Sequence, residues 1–217
     1  MADYAQARRT MVDRQVRTAD VTDLRILGAM LEVPREAYVP TPRRAMAYLD
    51  VDVPVDSTRA LLKPMVFAKL LQAAAIGESD HVLDVGCASG YSAAVLARLS
   101  GSVIALEEDI ALARAAGETL AQTGARNLSV VSGPLTAGWP KGAPYDVIVL
   151  EGATETAPAA LLSQLKEGGR LVAVVGSGPL GKATVFSMTG GHATAQTLFD
   201  AAAPLLPGFA KTPAFVF

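Results

Sequence analysis

The feature that constrains the fold most is an alternation, beginning at Asp80, of short apolar runs with segments of helical periodicity. The runs predicted as strands are residues 81–85, 103–106, 128–131, 145–150 and 170–175, and the predicted helices are 91–99, 110–122 and 158–165. Strands and helices that alternate over short connections are typical of a parallel sheet with right-handed crossovers. The sequence therefore predicts an α/β protein with a doubly wound, mostly parallel, Rossmann-like sheet.

Different patterns flank this region. Residues 5–17 and a segment capped by Thr22 or Asp20 are predicted helices, and Pro64 is predicted to begin a third. After the sheet, 182–188 and 193–199 surround two adjacent glycines and predict an antiparallel hairpin. Residues 200–217 are expected to run along the surface, with a short strand at 214–217. We therefore expect an N-terminal helical segment over 1–75 and a compact ligand-binding domain over 76–217.

Composition narrows the class of protein. The chain has 217 residues, of which 51% are apolar, and its apolar runs are shorter than the roughly 18 residues that span a bilayer. A formal net charge of −2 without a basic stripe argues against a nucleic-acid partner. The single Cys87, and a charged N-terminus unlike a signal peptide, predict a cytoplasmic protein. His81 and His192 lack nearby ligands, so no metal site is predicted.

A glycine turn directly after the first predicted strand indicates a ligand site. Gly86 and Gly90 allow the backbone to approach a ligand closely, and open parallel sheets bind ligands at the carboxyl ends of their strands. The next strand ends in Glu107, 21 residues after Gly86, which is near the ~20-residue spacing of an acid that binds ribose hydroxyls. Together these residues predict a nucleoside-cofactor site.

The position of Asp84 indicates which nucleoside cofactor the site would bind. A carboxylate two residues before the first glycine is poorly placed beside a pyrophosphate, because like charges repel. It suits the amino group of a methionine moiety. The pattern Asp84-x-Gly86-x-Ala88-x-Gly90 therefore favours S-adenosylmethionine (AdoMet) over a dinucleotide. A purely structural alternative is that Asp84 caps the turn that follows.

Several blocks of the sequence resemble the protein-L-isoaspartate O-methyltransferase family. The resemblance covers about residues 8–180 and is carried by Met11–Arg17 in the form MVDRQVR, by residues 33–40, 47–50 and 82–96, by Glu107, and by residues 138–146, 161–165 and 168–172. It implies the class I methyltransferase fold, AdoMet as cofactor, and methylation of isoaspartyl carboxylates in damaged proteins as a repair reaction. The N-terminal helices would then help to cover the cofactor.

Two positions depart from the family pattern. Leu62 stands where the family places a serine beside the reacting carboxylate, and a leucine cannot donate a hydrogen bond. Pro134 replaces the aspartate that reaches the adenine in the family. Ser57, Thr58 and Arg59 precede Leu62 and are candidates to replace the missing contact. Arg59 is the preferred anchor, because a guanidinium binds a carboxylate in bidentate fashion.

Methyl transfer to a carboxylate needs no general base, because that group is ionised at neutral pH. The primary expectation is AdoMet-dependent methylation of L-isoaspartyl residues in a damaged protein or peptide. The alternatives are a diverged O-methyltransferase of a small carboxylic acid and a non-catalytic AdoMet-binding relative. The sequence does not determine the oligomeric state. The expected cofactor-binding residues are Asp84, Val85, Gly86, Cys87, Ala88, Ser89, Gly90, Tyr91, Glu107, Glu108, Gly133, Pro134, Leu135 and Glu151.

Overall fold

The computed structural model of the chain describes residues 3–122, 124, 126–176 and 178–211. The strands are β1 (Val53–Pro54), β2 (Ala60–Leu61), β3 (His81–Val85), β4 (Ser102–Glu107), β5 (Leu128–Ser132), β6 (Tyr145–Thr154), β7 (Leu165–Val175), β8 (Lys182–Thr189) and β9 (His192–Asp200). The α-helices are α1 (Tyr4–Met11), α2 (Leu24–Glu32), α3 (Pro64–Ala74), α4 (Tyr91–Leu96), α5 (Ile110–Ala121) and α6 (Ala159–Leu162). The strand expected at 214–217 lies outside the described residues.

The seven long strands form one sheet in the order β5-β4-β3-β6-β7-β8-β9. The first five of these are parallel, whereas β8 and β9 pair as the predicted antiparallel hairpin. Strands β3 and β6 lie at the centre and are buried along most of their length, as expected for parallel strands that are covered on both faces. The predicted doubly wound fold is confirmed.

The N-terminal segment is helical and packs against the domain. Helix α1 continues as a π-helical turn over Val12–Val16, and α2 and α3 bury apolar faces in the same core as the sheet. The cap of α2 is Asp23, whose carboxylate accepts a hydrogen bond from the amide of Arg25 at 2.8 Å. The expectation of Thr22 or Asp20 at this position was wrong. No helix in the described ranges is long and apolar enough to cross a membrane.

The helix expected over residues 158–165 is much shorter, because α6 covers only Ala159–Leu162 and Leu165 already belongs to β7. Conversely, β6 continues past the expected residue 150 to Thr154. Pairing supplies the reason, since Ala153 and Thr154 lie beside Val174 and Val175 of β7. Long-range hydrogen bonding has here overridden the local pattern.

The C-terminal segment after β9 is partly buried and does not run freely along the surface. The Ala153 amide donates to the Pro204 carbonyl at 2.7 Å, and the Leu206 amide donates to the Ala153 carbonyl at 3.0 Å. Leu206 and Phe209 are 3% and 5% exposed and belong to the apolar cluster on one face of the sheet. The segment covers apolar surface beside the carboxyl end of β6, so the expectation for this part of 200–217 was wrong.

Candidate cofactor and active site

Strand register brings three acidic residues to one edge of the sheet. Val85 of β3 pairs with Leu106 of β4 on one side and with Leu150 of β6 on the other. The residues that follow, Glu107 and Glu151, therefore lie on either side of the turn after β3. From β3 the sheet is extended on one side by β4 and β5, and the chain then crosses back to form β6 and β7 on the other side. Strand order therefore reverses at this point, and doubly wound sheets bind ligands there.

The glycine turn has an unusual backbone. Gly86, Ala88 and Gly90 have φ angles of +81°, +50° and +93°, a region that side chains with a Cβ rarely adopt. A Cβ on Gly86 would lie 3.1 Å from a methyl carbon of Leu206, and one on Gly90 would lie 2.8 Å from Leu120. The turn brings the Ala88 amide to the site. It leads directly into α4, whose residues are buried.

Glu107 is the most densely hydrogen-bonded group at this edge, and it is fully buried. Its carboxylate accepts hydrogen bonds from the amides of Ala88 at 3.0 Å, Glu108 at 2.8 Å and Asp109 at 3.2 Å. The guanidinium of Arg59 also lies on it: Nε is 3.0 and 3.1 Å from the two carboxylate oxygens, and Nη2 is 2.8 Å from Oε1. The structure thus places the two strongest candidates, Arg59 and Glu107, in direct contact.

Asp84 and Glu151 form a second, incompletely satisfied acidic group. Ser92 donates to one oxygen of Asp84 at 2.7 Å, whereas Asp84 Oδ1 and Glu151 Oε1 are buried with no hydrogen-bond partner among the described residues. Burial and the neighbouring Glu107 raise the pKa of Asp84 to about 7, and burial and Asp84 raise the pKa of Glu151 well above its ordinary value. Buried carboxylate oxygens without donors fit a positively charged ligand group.

Arg35 is a buried residue beside the site that entered the sequence analysis only within the family block 33–40 and was assigned no role there. Its side chain is 1% exposed, donates to the carbonyls of Ala47 and Leu62 at 2.8 Å each, and lies over the ring of Tyr91 at 4.6 Å. Arg35 therefore fixes the backbone at the position of the family serine. Its contacts were not predictable from local patterns, because its partners lie 12 and 27 residues away in sequence.

The remaining predicted residues divide by exposure. Ser57 and Thr58 are exposed, and Thr58 Oγ1 donates to Asp56 at 3.1 Å. Leu62 is 1% exposed and packs in the apolar core, and its backbone carbonyl accepts a hydrogen bond from Arg35 at 2.8 Å. Among the predicted cofactor-binding residues, those near Glu107 or the glycine turn are Val85, Cys87, Ser89, Tyr91, Glu108 and Gly133. Of the two predicted residues after Gly133, Pro134 is exposed and Leu135 is buried.

Fold and site together define the class of the chain as a doubly wound α/β methyltransferase of class I. The family model described as protein-L-isoaspartate(D-aspartate) O-methyltransferase (PCMT) matches residues 6–199. The chain belongs to this family. The match extends beyond the predicted residue 180 into the antiparallel hairpin, which is therefore also part of the family pattern.

Relatives and solved structures agree with this assignment. The chain is 42% identical over 167 residues to a protein-L-isoaspartate O-methyltransferase from Rhodopseudomonas palustris, covering 77% of each chain. It is 41% identical over 187 residues to one from Methylorubrum extorquens, covering 86% of this chain and 81% of the relative. A solved protein-L-isoaspartate O-methyltransferase superposes with a TM-score of 0.81 at 23% identity, covering 93% of this chain and 66% of the other.

Proposed function

We propose that the protein transfers the methyl group of AdoMet to the carboxylate of L-isoaspartyl residues in damaged proteins. Membership of the family supports the reaction. The structural observation in this chain that supports the proposal is the convergence of Asp84, Glu107 and Glu151 around the turn from Gly86 to Gly90. One solved relative, a putative enzyme of this family from Plasmodium falciparum with a TM-score of 0.78, is described in complex with S-adenosyl-L-homocysteine.

The residues present fit AdoMet. Asp84 Oδ1 and Glu151 Oε1 are buried carboxylate oxygens without donors among the described residues, and an ammonium group would supply those donors. The buried carboxylate of Glu107 suits the ribose hydroxyls, since an ionised carboxylate only accepts hydrogen bonds. When bound, AdoMet supplies an electrophilic methyl group. Binding, orientation and exclusion of water remain for the side chains of this chain.

The acceptor side of the site requires positioning and not proton transfer. A carboxylate acceptor is already ionised at neutral pH, so no general base is needed. His81 lies at the start of β3, at the opposite end of that strand from Gly86, where its ring stacks on Tyr145. We propose that Arg59 binds the acceptor carboxylate and that Ser57 and Thr58 line its approach, since they are exposed beside it.

The reaction is tested with a peptide that contains one isoaspartyl residue and with methyl-labelled AdoMet. We expect base-labile label in the peptide and none in the matched peptide with a normal aspartyl residue. Transfer to both peptides, or to neither while AdoMet still binds, would contradict the proposed acceptor. In the second case, a screen of small carboxylic acids tests the diverged O-methyltransferase, which the loss of the family serine at Leu62 favours.

Replacing Leu62 by Ser tests that departure. A restored hydroxyl is expected to raise kcat/KM for the isoaspartyl peptide roughly fivefold, because one neutral hydrogen bond contributes about 1 kcal/mol. The same change removes a buried leucine side chain and is expected to lower the free energy of unfolding by roughly 2–4 kcal/mol. Initial rates and urea denaturation measure the two effects. The Leu61→Ser variant, also buried, is the control, and an equal rate change there would argue against a specific role for position 62.

A protein or peptide partner follows from this proposal. The expected cytoplasmic location remains a prediction that is based on composition and on the single Cys87.

A further inference from the structure

The Arg59 side chain is bound to Glu107, the carboxylate that we propose binds the ribose of the cofactor. Its guanidinium contacts both oxygens of Glu107, and the two side chains are 3% and 0% exposed. The backbone amides of Ala88, Glu108 and Asp109 donate to the same carboxylate. A carboxylate offers about four lone-pair positions. With three amides and a guanidinium already bound, Glu107 has no acceptor position left for a ribose hydroxyl.

The backbone of Arg59 is fixed, so only its side chain is able to move away. The amides of Val55 and Asp56 donate to the Arg59 carbonyl at 2.8 and 3.3 Å. The carboxylate of Asp56 accepts from the amides of Thr58 at 2.6 Å and of Arg59 at 2.7 Å. This tight turn places Arg59 over the site, and the three amides hold Glu107 independently of it. The contact is therefore a side-chain ion pair between two separately anchored backbones.

We propose that Arg59 exchanges partners when ligands bind. The cofactor ribose displaces the guanidinium from Glu107, and the guanidinium then becomes available to the acceptor carboxylate. This inference rests on the proposed function. A buried guanidinium without an anion is strongly unfavourable, so the displaced side chain needs a new partner. Glu108 lies 3.8 Å from Nη2 but its side chain is 46% exposed, so water weakens that pairing. An isoaspartyl carboxylate supplies a bidentate partner.

If Arg59 exchanges partners, its removal changes the affinities for the two ligands in opposite directions. Cofactor binding becomes stronger, because the competition at Glu107 is relieved, whereas acceptor binding becomes weaker. It also makes binding ordered, because the acceptor carboxylate finds Arg59 free only after the cofactor has bound. A merely structural Arg59 would give neither pattern, since its loss would weaken both ligands together.

The first test is calorimetry with S-adenosyl-L-homocysteine on wild type, Arg59→Gln and the control Arg114→Gln, which removes one charge from an exposed pair with Glu118. We expect the Kd to fall about tenfold in Arg59→Gln, a typical size for coupling between two ligands, and to stay unchanged in the control. Arg59→Lys keeps the charge but not the bidentate geometry and is expected to be intermediate. A Kd that is unchanged or higher in Arg59→Gln would overturn the exchange.

The second test needs only the wild-type protein and therefore holds even if a variant does not fold. Binding of the isoaspartyl peptide is measured with and without saturating S-adenosyl-L-homocysteine. We expect peptide affinity to be at least about tenfold higher with the nucleoside present. Equal affinity under both conditions overturns the exchange while leaving the proposed function intact. By contrast, S-adenosyl-L-homocysteine that binds neither wild type nor Arg59→Gln at millimolar concentration overturns the cofactor assignment, and the exchange with it.

Discussion

Glu107→Gln is expected to weaken AdoMet binding by roughly 100-fold, which is the largest effect on ligand binding that we predict for one substitution. Hydrogen bonds to a charged group contribute about 1.5–3 kcal/mol each, and the neutral amide of Gln replaces an acceptor-only group by one that also donates. The side chain keeps almost the same volume, so the loss reports charge and not packing. Calorimetry with AdoMet measures it.

The same substitution also leaves Arg59 buried without its carboxylate. Breaking a buried ion pair by removing one partner costs about 3–5 kcal/mol, so Glu107→Gln should lower the urea midpoint markedly. The double variant Glu107→Gln, Arg59→Gln removes both charges and should recover part of the stability but none of the affinity. If Glu107→Gln binds AdoMet as wild type does, the assignment of the ribose site is wrong.

Asp84→Asn is expected to stabilise the ligand-free protein at pH 8 while it weakens AdoMet binding about tenfold or more. In the folded protein the pKa of Asp84 is raised to about 7, because burial and Glu107 disfavour its charge. An asparagine avoids that unfavourable charge. It also removes one of the carboxylates proposed to bind the ammonium group, and a charged hydrogen bond of this kind contributes about 1.5–3 kcal/mol.

The pH dependence of wild type follows from the same shift. A folded-state pKa above the unfolded value means that the folded protein binds more protons between about pH 4 and pH 7, so this group's contribution to stability falls as pH rises through that range. AdoMet binding has the opposite dependence, because the ammonium group favours the ionised carboxylate, and its affinity should rise with pH up to about 7. Thermal unfolding and calorimetry between pH 5 and 8 measure both trends. A flat affinity profile, or an Asp84→Asn profile equal to that of wild type, would contradict this account.

Local sequence patterns predicted the strands of the sheet and the position of the cofactor turn. The apolar runs leading to Val85 and Leu106 are long enough for single buried strands, and the chirality of strand crossovers leaves few ways to arrange them. The turn was recognisable because Gly86 and Gly90 meet backbone requirements that are read residue by residue.

Prediction from sequence was weakest wherever a residue's environment is formed by distant segments. The extension of β6 depends on its pairing with β7, and the buried position of Leu206 depends on the apolar face that it covers. The burial of Arg35 depends on carbonyls far along the chain. Neither periodicity nor spacing contains information about such contacts.

The sequence by itself therefore indicated the α/β class, the glycine turn after the first strand and the acidic residues proposed to bind the cofactor, because strand period and turn chemistry are local or nearly local properties. Only the tertiary structure decided that Arg59 lies on Glu107 and that the single oxygens Asp84 Oδ1 and Glu151 Oε1 are left without donors among the described residues. The physical reason is that charge pairing and desolvation depend on which side chains meet in space. Arg59 and Glu107 are 48 residues apart, and only the folded chain brings them together.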